Sequence, residues 1–149
     1  MNQTLNLREI NQDDWKILLE WRNDVLTRQN FYSSQFVSES EHKNYIKDTI
    51  DNSERRQFIL EYNGIEVGTI REDVYKNTHL KLSYTINPLF RGKKIGQMMI
   101  SLYLIDKTGV FLCEVKKDNI ASIKMIEKVG FKFLSKERDI NIYKLNKLN

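Results

Sequence analysis

The residues best suited by type and spacing to do chemistry are Arg91-Gly92-Lys93-Lys94-Ile95-Gly96. They follow a turn opened by Asn87-Pro88 and lead into an amphipathic stretch, residues 97–106. A glycine loop that opens a helix aims free backbone N–H groups and the positive end of the helix dipole at an anion. The chemistry it suggests is the binding of a pyrophosphate. Gly96 is followed by Gln97, so the hydroxyl that a P-loop places on Mg²⁺ is missing. Gly-x-Gly-x-x-Gly is also missing, which excludes a dinucleotide fingerprint. Taken alone, the loop reads more readily as a strand-to-helix turn with a solvated basic rim. A second run, Asn119-Ile120-Ala121-Ser122, is followed by Glu127-Lys128-Val129-Gly130-Phe131.

The elements that would position these runs can be read along the chain. Residues 4–10 alternate apolar and polar and predict a first strand. Asn11 can cap the next helix, with Asp14 in its first turn. That helix gathers Trp15, Leu18, Trp21 and Val25 on one face. Residues 27–37, with Phe31, Tyr32 and Phe36, read as a loop able to cover a site. Ser38 with Glu41 forms a capping box for a helix that carries Tyr45, Ile46 and Ile50. Asn63-Gly64 between residues 57–62 and 65–70 is a strong hairpin signal. Strands at 80–86 and 110–115, helices at 96–106 and 120–128, and closing strands at 131–134 and 141–145 complete the order. The expectation is one domain over residues 1–149, an α/β mixed sheet with helices on both faces.

Composition narrows the class. At 149 residues, with 40% hydrophobic and 30% charged, the chain is long enough to bury a core. No apolar run approaches a membrane span, and Met1-Asn2-Gln3-Thr4 does not open a signal peptide. Cys113 is the only cysteine, so no internal disulfide can form and the cytoplasm is the expected compartment. The net charge of +4 is mild and the lysines are scattered, so neither a nucleic-acid partner nor a membrane partner is expected. No metal site is expected. A closing strand left open could pair across a homodimer.

The two runs, in this order around a strand, resemble the GNAT family of acetyl-CoA-dependent N-acetyltransferases. That family's loop reads Arg/Gln-x-x-Gly-x-Gly/Ala. Arg91 and Gly96 match it, while Lys94 replaces the middle glycine. The second run matches at Asn119, Ala121, Ser122, Glu127, Lys128, Gly130 and Phe131. The resemblance implies a mostly antiparallel sheet that a bulge splays between strands 4 and 5. It implies that acetyl-CoA is the co-substrate, held by the backbone of Arg91, Gly92, Lys93, Lys94, Ile95 and Gly96. Asn119 would bond the pantetheine arm, with Ser122 beside it. A backbone N–H at Thr85 or Ile86 would face the oxyanion. Lys94 would need φ > 0 if the loop keeps the family's geometry, which a lysine tolerates poorly.

Acetyl transfer also needs a group to take the amine's proton and a donor for the departing thiolate. The family's tyrosine, seven residues after the asparagine, is Ile126 here, and Lys81 holds a register where some relatives have a carboxylate. Candidate donors are Tyr84, Tyr143 and Ser122. Candidate bases are Glu114, Glu72, Asp73 and His42. The acceptor side resembles the branch that acetylates nucleotide-linked amino sugars, through Trp21-Arg22-Asn23, Arg28 and His42. Arg22 and Arg28 would pair with a diphosphate and Trp21 would stack on a ring. The other readings of Trp21 and the arginines are a core residue and solvated charges. A small-molecule amine is the expected partner. Protein N-termini, polyamines and a non-catalytic coenzyme A module are the alternatives.

Overall fold

A computed structural model describes residues 4–31, 34–76 and 78–148; Tyr32 and the first three residues lie outside them. Seven strands form one sheet in the order β1-β2-β3-β4-β5-β7-β6. The strands are β1 (Leu5–Glu9), β2 (Arg55–Tyr62), β3 (Ile65–Tyr75), β4 (His79–Ile86), β5 (Gly109–Lys116), β6 (Lys132–Glu137) and β7 (Ile140–Lys147). The helices are α1 (Trp15–Asn23), α2 (Val25–Gln29), α3 (Glu39–Asp51), α4 (Ile95–Leu104) and α5 (Ile120–Val129). Every pairing is antiparallel except β4 with β5. This is the expected mixed sheet.

Strand alternation divides the core between two faces. On β2, Phe58 and Leu60 join the larger cluster, with Met99, Ile100 and Tyr103 of α4 and Ile126 of α5. Ile59, between them, joins Leu18, Trp21 and Ile46 on the opposite face. Thus α4 and α5 cover one face, and α1 and α3 the other.

β4 and β5 pair only at His79–Leu82 against Val110–Cys113. Beyond that the strands part, as expected, but the cause differs from the expectation. The β3–β4 ladder keeps one register from Gly68↔Ile86 to Tyr75↔His79, so β4 carries no bulge there. The register shift in this half of the sheet lies between Leu60 and Glu61 on β2.

Two further expectations are corrected. The polar stretch 27–37 is not all loop, because α2 runs through Gln29. Asp24 accepts from the backbone N–H of Thr27 and so restarts a helix that sequence periodicity ends. Also, β3 continues past Ile70 through Arg71, Glu72 and Asp73. Charge does not break the strand because Asp73 pairs with Arg55 on β2 (2.6 Å) and with Arg71 (2.8 Å). Asn11 caps a 3-10 turn, Gln12–Asp14, and α1 starts at Trp15.

Candidate active site

The gap between the parted strands is a cleft of about 810 Å³, lined by Ser83–Ile86 on one side and Glu114, Val115 and Lys116 on the other. Its far end is the loop before α4. Gly92 has φ 76° and Lys94 has φ 61°, so the lysine does adopt the left-handed conformation. Lys94 is the N-cap of α4, and the first helical bond there is Met98 N–H to the Lys94 carbonyl, 3.1 Å. The N–H groups of residues 95–97 therefore precede the helical ladder. With the left-handed residue before them, they form the kind of concavity that binds anions. Lys94→Gly is expected to stabilise the fold by about 0.5–1 kcal/mol by removing the left-handed penalty. Urea unfolding checks this, and a loss of stability would show that the lysine side chain contributes more than its backbone costs.

Most of the expected coenzyme-binding residues line this cleft: Thr85, Ile86, Arg91, Gly92, Lys94, Ile95, Gly96, Asn119 and Ser122. Lys93 is not among the lining residues; its ammonium lies 5.3 Å from the centre of the Phe90 ring. The Asn119 side-chain oxygen is engaged by the backbone N–H of Ser122 and caps α5. Arg91 forms an ion pair with Asp24 and donates to Thr27 Oγ1 at 3.0 Å.

The candidate catalytic groups separate clearly. Tyr84 lines the cleft, and its hydroxyl is hydrogen-bonded to Ser122 Oγ. Burial first, then the nearby Cys113, pushes the Tyr84 phenol well above its ordinary pKa. It therefore keeps its proton and can donate, but cannot serve as a base. Tyr143 does not reach the cleft. It is a core residue, 4% exposed, packed edge-on against Phe133, because its β7 register places it beside buried Cys113. Ile126, at the family's tyrosine position, is fully buried in the larger core.

Glu114 faces the cleft and pairs with Lys81 Nζ at 3.1 Å. The pair links β4 to β5 across the opening between them. Burial, then Glu137, pushes the Glu114 carboxyl up. Glu72 accepts from the Tyr103 hydroxyl at 2.8 Å, and Asp73 is held between two arginines.

A second cavity, of about 380 Å³, adjoins the first and shares Phe31, Arg71, Ser83, Tyr84 and Thr85 with it. Trp21, Arg22 and His42 line it. Asn23 and Arg28, expected beside a substrate, do other work. The Asn23 amide exchanges two 2.8 Å hydrogen bonds with the Val37 backbone, and Arg28 donates to the Asn23 carbonyl at 3.1 Å. Together they hold the polar segment after α2 against α1. Trp21 is 3% exposed and packs with Leu18, Ile46 and Ile59. Arg22 lies 4.2 Å from the Phe31 ring centre. Sequence reading missed Arg71, Tyr45 and Gln57, which also line the cavity. A strand continued through residues 71–73 would have brought Arg71 in, since Arg71 and Thr69 share one face of a period-two strand.

The model of the acetyltransferase (GNAT) domain family matches residues 4–132. The chain belongs to this family. A GNAT domain uses acetyl-CoA as co-substrate, and the cleft fits it: a wide gap between strands leads to a loop of unpaired N–H groups. Among solved structures, a domain from Methanocaldococcus jannaschii matches with TM-score 0.82 and 26% identity, over 97% of this chain and 99% of that one. The N-acetyltransferase PseH of Campylobacter jejuni, in complex with acetyl coenzyme A, matches in fold with TM-score 0.74 and 15% identity, over 97% and 99%. A curated relative, an uncharacterized protein of M. jannaschii, is 27% identical over 94% of this chain but only 31% of its own length. The chain thus spans about a third of that relative.

Proposed function

We propose that this chain, residues 1–149 acting as one domain, transfers an acetyl group from acetyl-CoA directly to the primary amine of a small acceptor. Our reading of the acceptor is a nucleotide-linked amino sugar. The observation that carries the reading is the junction of the two cavities at Ser83, Tyr84 and Thr85. A thioester in the cleft and an amine in the second cavity would meet there. We place the reaction in the cytoplasm, where buried Cys113 stays a thiol. Among the described residues, no helix is long and apolar enough to cross a membrane.

The reading assigns a group to each step. Acetyl-CoA supplies the activated thioester. The loop N–H groups of residues 92–97 hold its pyrophosphate, and the Thr85 or Ile86 N–H donates to the carbonyl oxygen as it gains charge. Glu114 receives the amine's proton. Tyr84, oriented by Ser122, donates a hydrogen bond to the departing sulfur.

The test is thiol release from acetyl-CoA with a UDP-linked 4-amino sugar, a free amino sugar, spermidine and a peptide with a free N-terminus. Turnover of the sugar nucleotide above the others is expected. Preference for spermidine or the peptide would move the assignment to polyamine or protein acetylation. Binding of acetyl-CoA without thiol release from any of them would leave a coenzyme A module.

The base assignment has a pH signature. In Lys81→Met the carboxylate loses the ammonium that favours its charged form, so its pKa rises. The ascending limb of kcat/KM is expected to move to higher pH, and Glu114→Gln to lower kcat/KM about 100-fold. A limb that stays in place in Lys81→Met would remove Glu114 as the base.

A further inference from the structure

The second cavity is built for more than an amine. His42 is 5% exposed, lines the cavity and leaves Nε2 buried without a hydrogen-bond partner among the described residues. Two guanidiniums, Arg22 and Arg71, line the same space. Arg71 commits Nη1 to the Tyr45 hydroxyl (3.0 Å) and Nε to Asp73 (2.8 Å). The guanidinium's other N–H groups are not used in these two bonds. Asp73 is also bonded to Arg55, so one carboxylate serves two arginines. The carboxylate that lines the cavity itself, Glu41, is exposed on the first turn of α3.

We propose that this cavity selects an acceptor amine that also carries an anionic oxo group, phosphoryl or carboxylate, held by Arg22 and Arg71, with His42 Nε2 hydrogen-bonding the same molecule. The proposal rests on the acetyl-transfer reading only in calling that molecule the acceptor. The cavity's volume suits a monosaccharide-sized group rather than an oligopeptide. A polyamine would bring ammonium groups beside two guanidiniums away from bulk water, where like charges repel strongly. The positive field is already visible at His42. Burial, then the Arg22 charge, lowers its pKa to about 4, so the imidazole is neutral at neutral pH. The charged and titratable groups that line the cavity with it are Arg22 on α1, Glu41 and Tyr45 on its own helix, Arg71 on β3 and Tyr84 on β4, with the Tyr45 ring 5.5 Å from the imidazole. A bound anion offsets the arginines and raises the His42 pKa.

The chain has two histidines, and His79 is on β4, bonded to Thr78, outside both cavity linings. The protein alone, with labelled histidines, is titrated with methyl phosphate and separately with acetate, and the imidazole resonances are followed by NMR. The expected result is a saturable shift and a raised pKa at His42, with His79 unmoved. In Arg22→Gln and in Arg71→Gln the affinity is expected to fall at least tenfold. A response to methyl phosphate alone assigns a phosphoryl group, and a response to acetate alone a carboxylate. A His42 signal that moves with neither anion, or that moves in both variants with the parent's affinity, overturns the proposal. This titration needs neither coenzyme nor turnover. Thiol release from acetyl-CoA tests the transfer reading separately, so failure of one is not failure of the other. With turnover in hand, glucosamine 6-phosphate should exceed glucosamine at least tenfold in kcat/KM if phosphoryl is the group held.

Discussion

Tyr84→Phe is expected to lower kcat about 100-fold while leaving the KM for acetyl-CoA nearly unchanged. Tyr84 is among the residues shared by the two cavities, and its hydroxyl is bonded to Ser122 Oγ, which lines the cleft. Its raised pKa keeps it protonated at any working pH, so its contribution is a fixed hydrogen bond to the charge that develops on the departing sulfur. Removing one such donor from a catalytic site commonly costs about 10²–10³ in kcat. Stability should fall by only about 1 kcal/mol, the usual value of one hydrogen bond, so folding and catalysis can be told apart. Ser122→Ala should lose less, because it orients the donor without being the donor. The double variant should lose little more than Tyr84→Phe alone, since the two side chains act as a unit. Steady-state kinetics with saturating acceptor decides the matter: a Tyr84→Phe enzyme within threefold of the parent would take the hydroxyl out of the mechanism.

Trp21→Ala is expected to cost about 3–5 kcal/mol of stability, the range for emptying an aromatic core site. The indole is nearly inaccessible and joins Leu18 on its own helix, Ile46 on α3 and Ile59 on the sheet. It is the residue through which α1, α3 and β2 share one small core, so the void cannot be closed by moving one helix alone. Trp21→Phe keeps most of the volume and should cost markedly less. Urea unfolding followed by far-UV circular dichroism gives both numbers. A loss below about 1 kcal/mol for Trp21→Ala would return the ring to the role of a substrate platform.

What could be read from the sequence was whatever depends on near neighbours. Asn63-Gly64 turns the chain because both residues take positive φ, 51° and 82°, the signature of a tight hairpin. The loop at Arg91–Gly96 and the Asn119 cap are likewise local arrangements. The acceptor side was not legible, because its residues are fixed by partners far along the chain. Arg91 meets Asp24 across 67 positions, and Tyr45 reaches Gln57 on another element. Asn23 looked like a ligand and proved to be a clasp for Val37, since an amide that can both donate and accept suits either use. Tyr143 looked catalytic by residue type alone. Only the β5–β7 register, which sets it beside Cys113, places it in the core.

The parting of β4 and β5 after four paired positions has a consequence for how the protein should be handled. An ordinary open sheet has two margins where backbone groups lack a neighbouring strand; this one opens a further pair in its own interior. Such margins attract other chains unless something occupies them. A ligand that fills the opening is then also a structural component, and its concentration enters the folding equilibrium. At one hundred times its Kd, a ligand bound only by the folded state adds about 2.7 kcal/mol. Melting temperatures of variants are therefore comparable only at equal coenzyme content, and material stripped of coenzyme should be the first to aggregate.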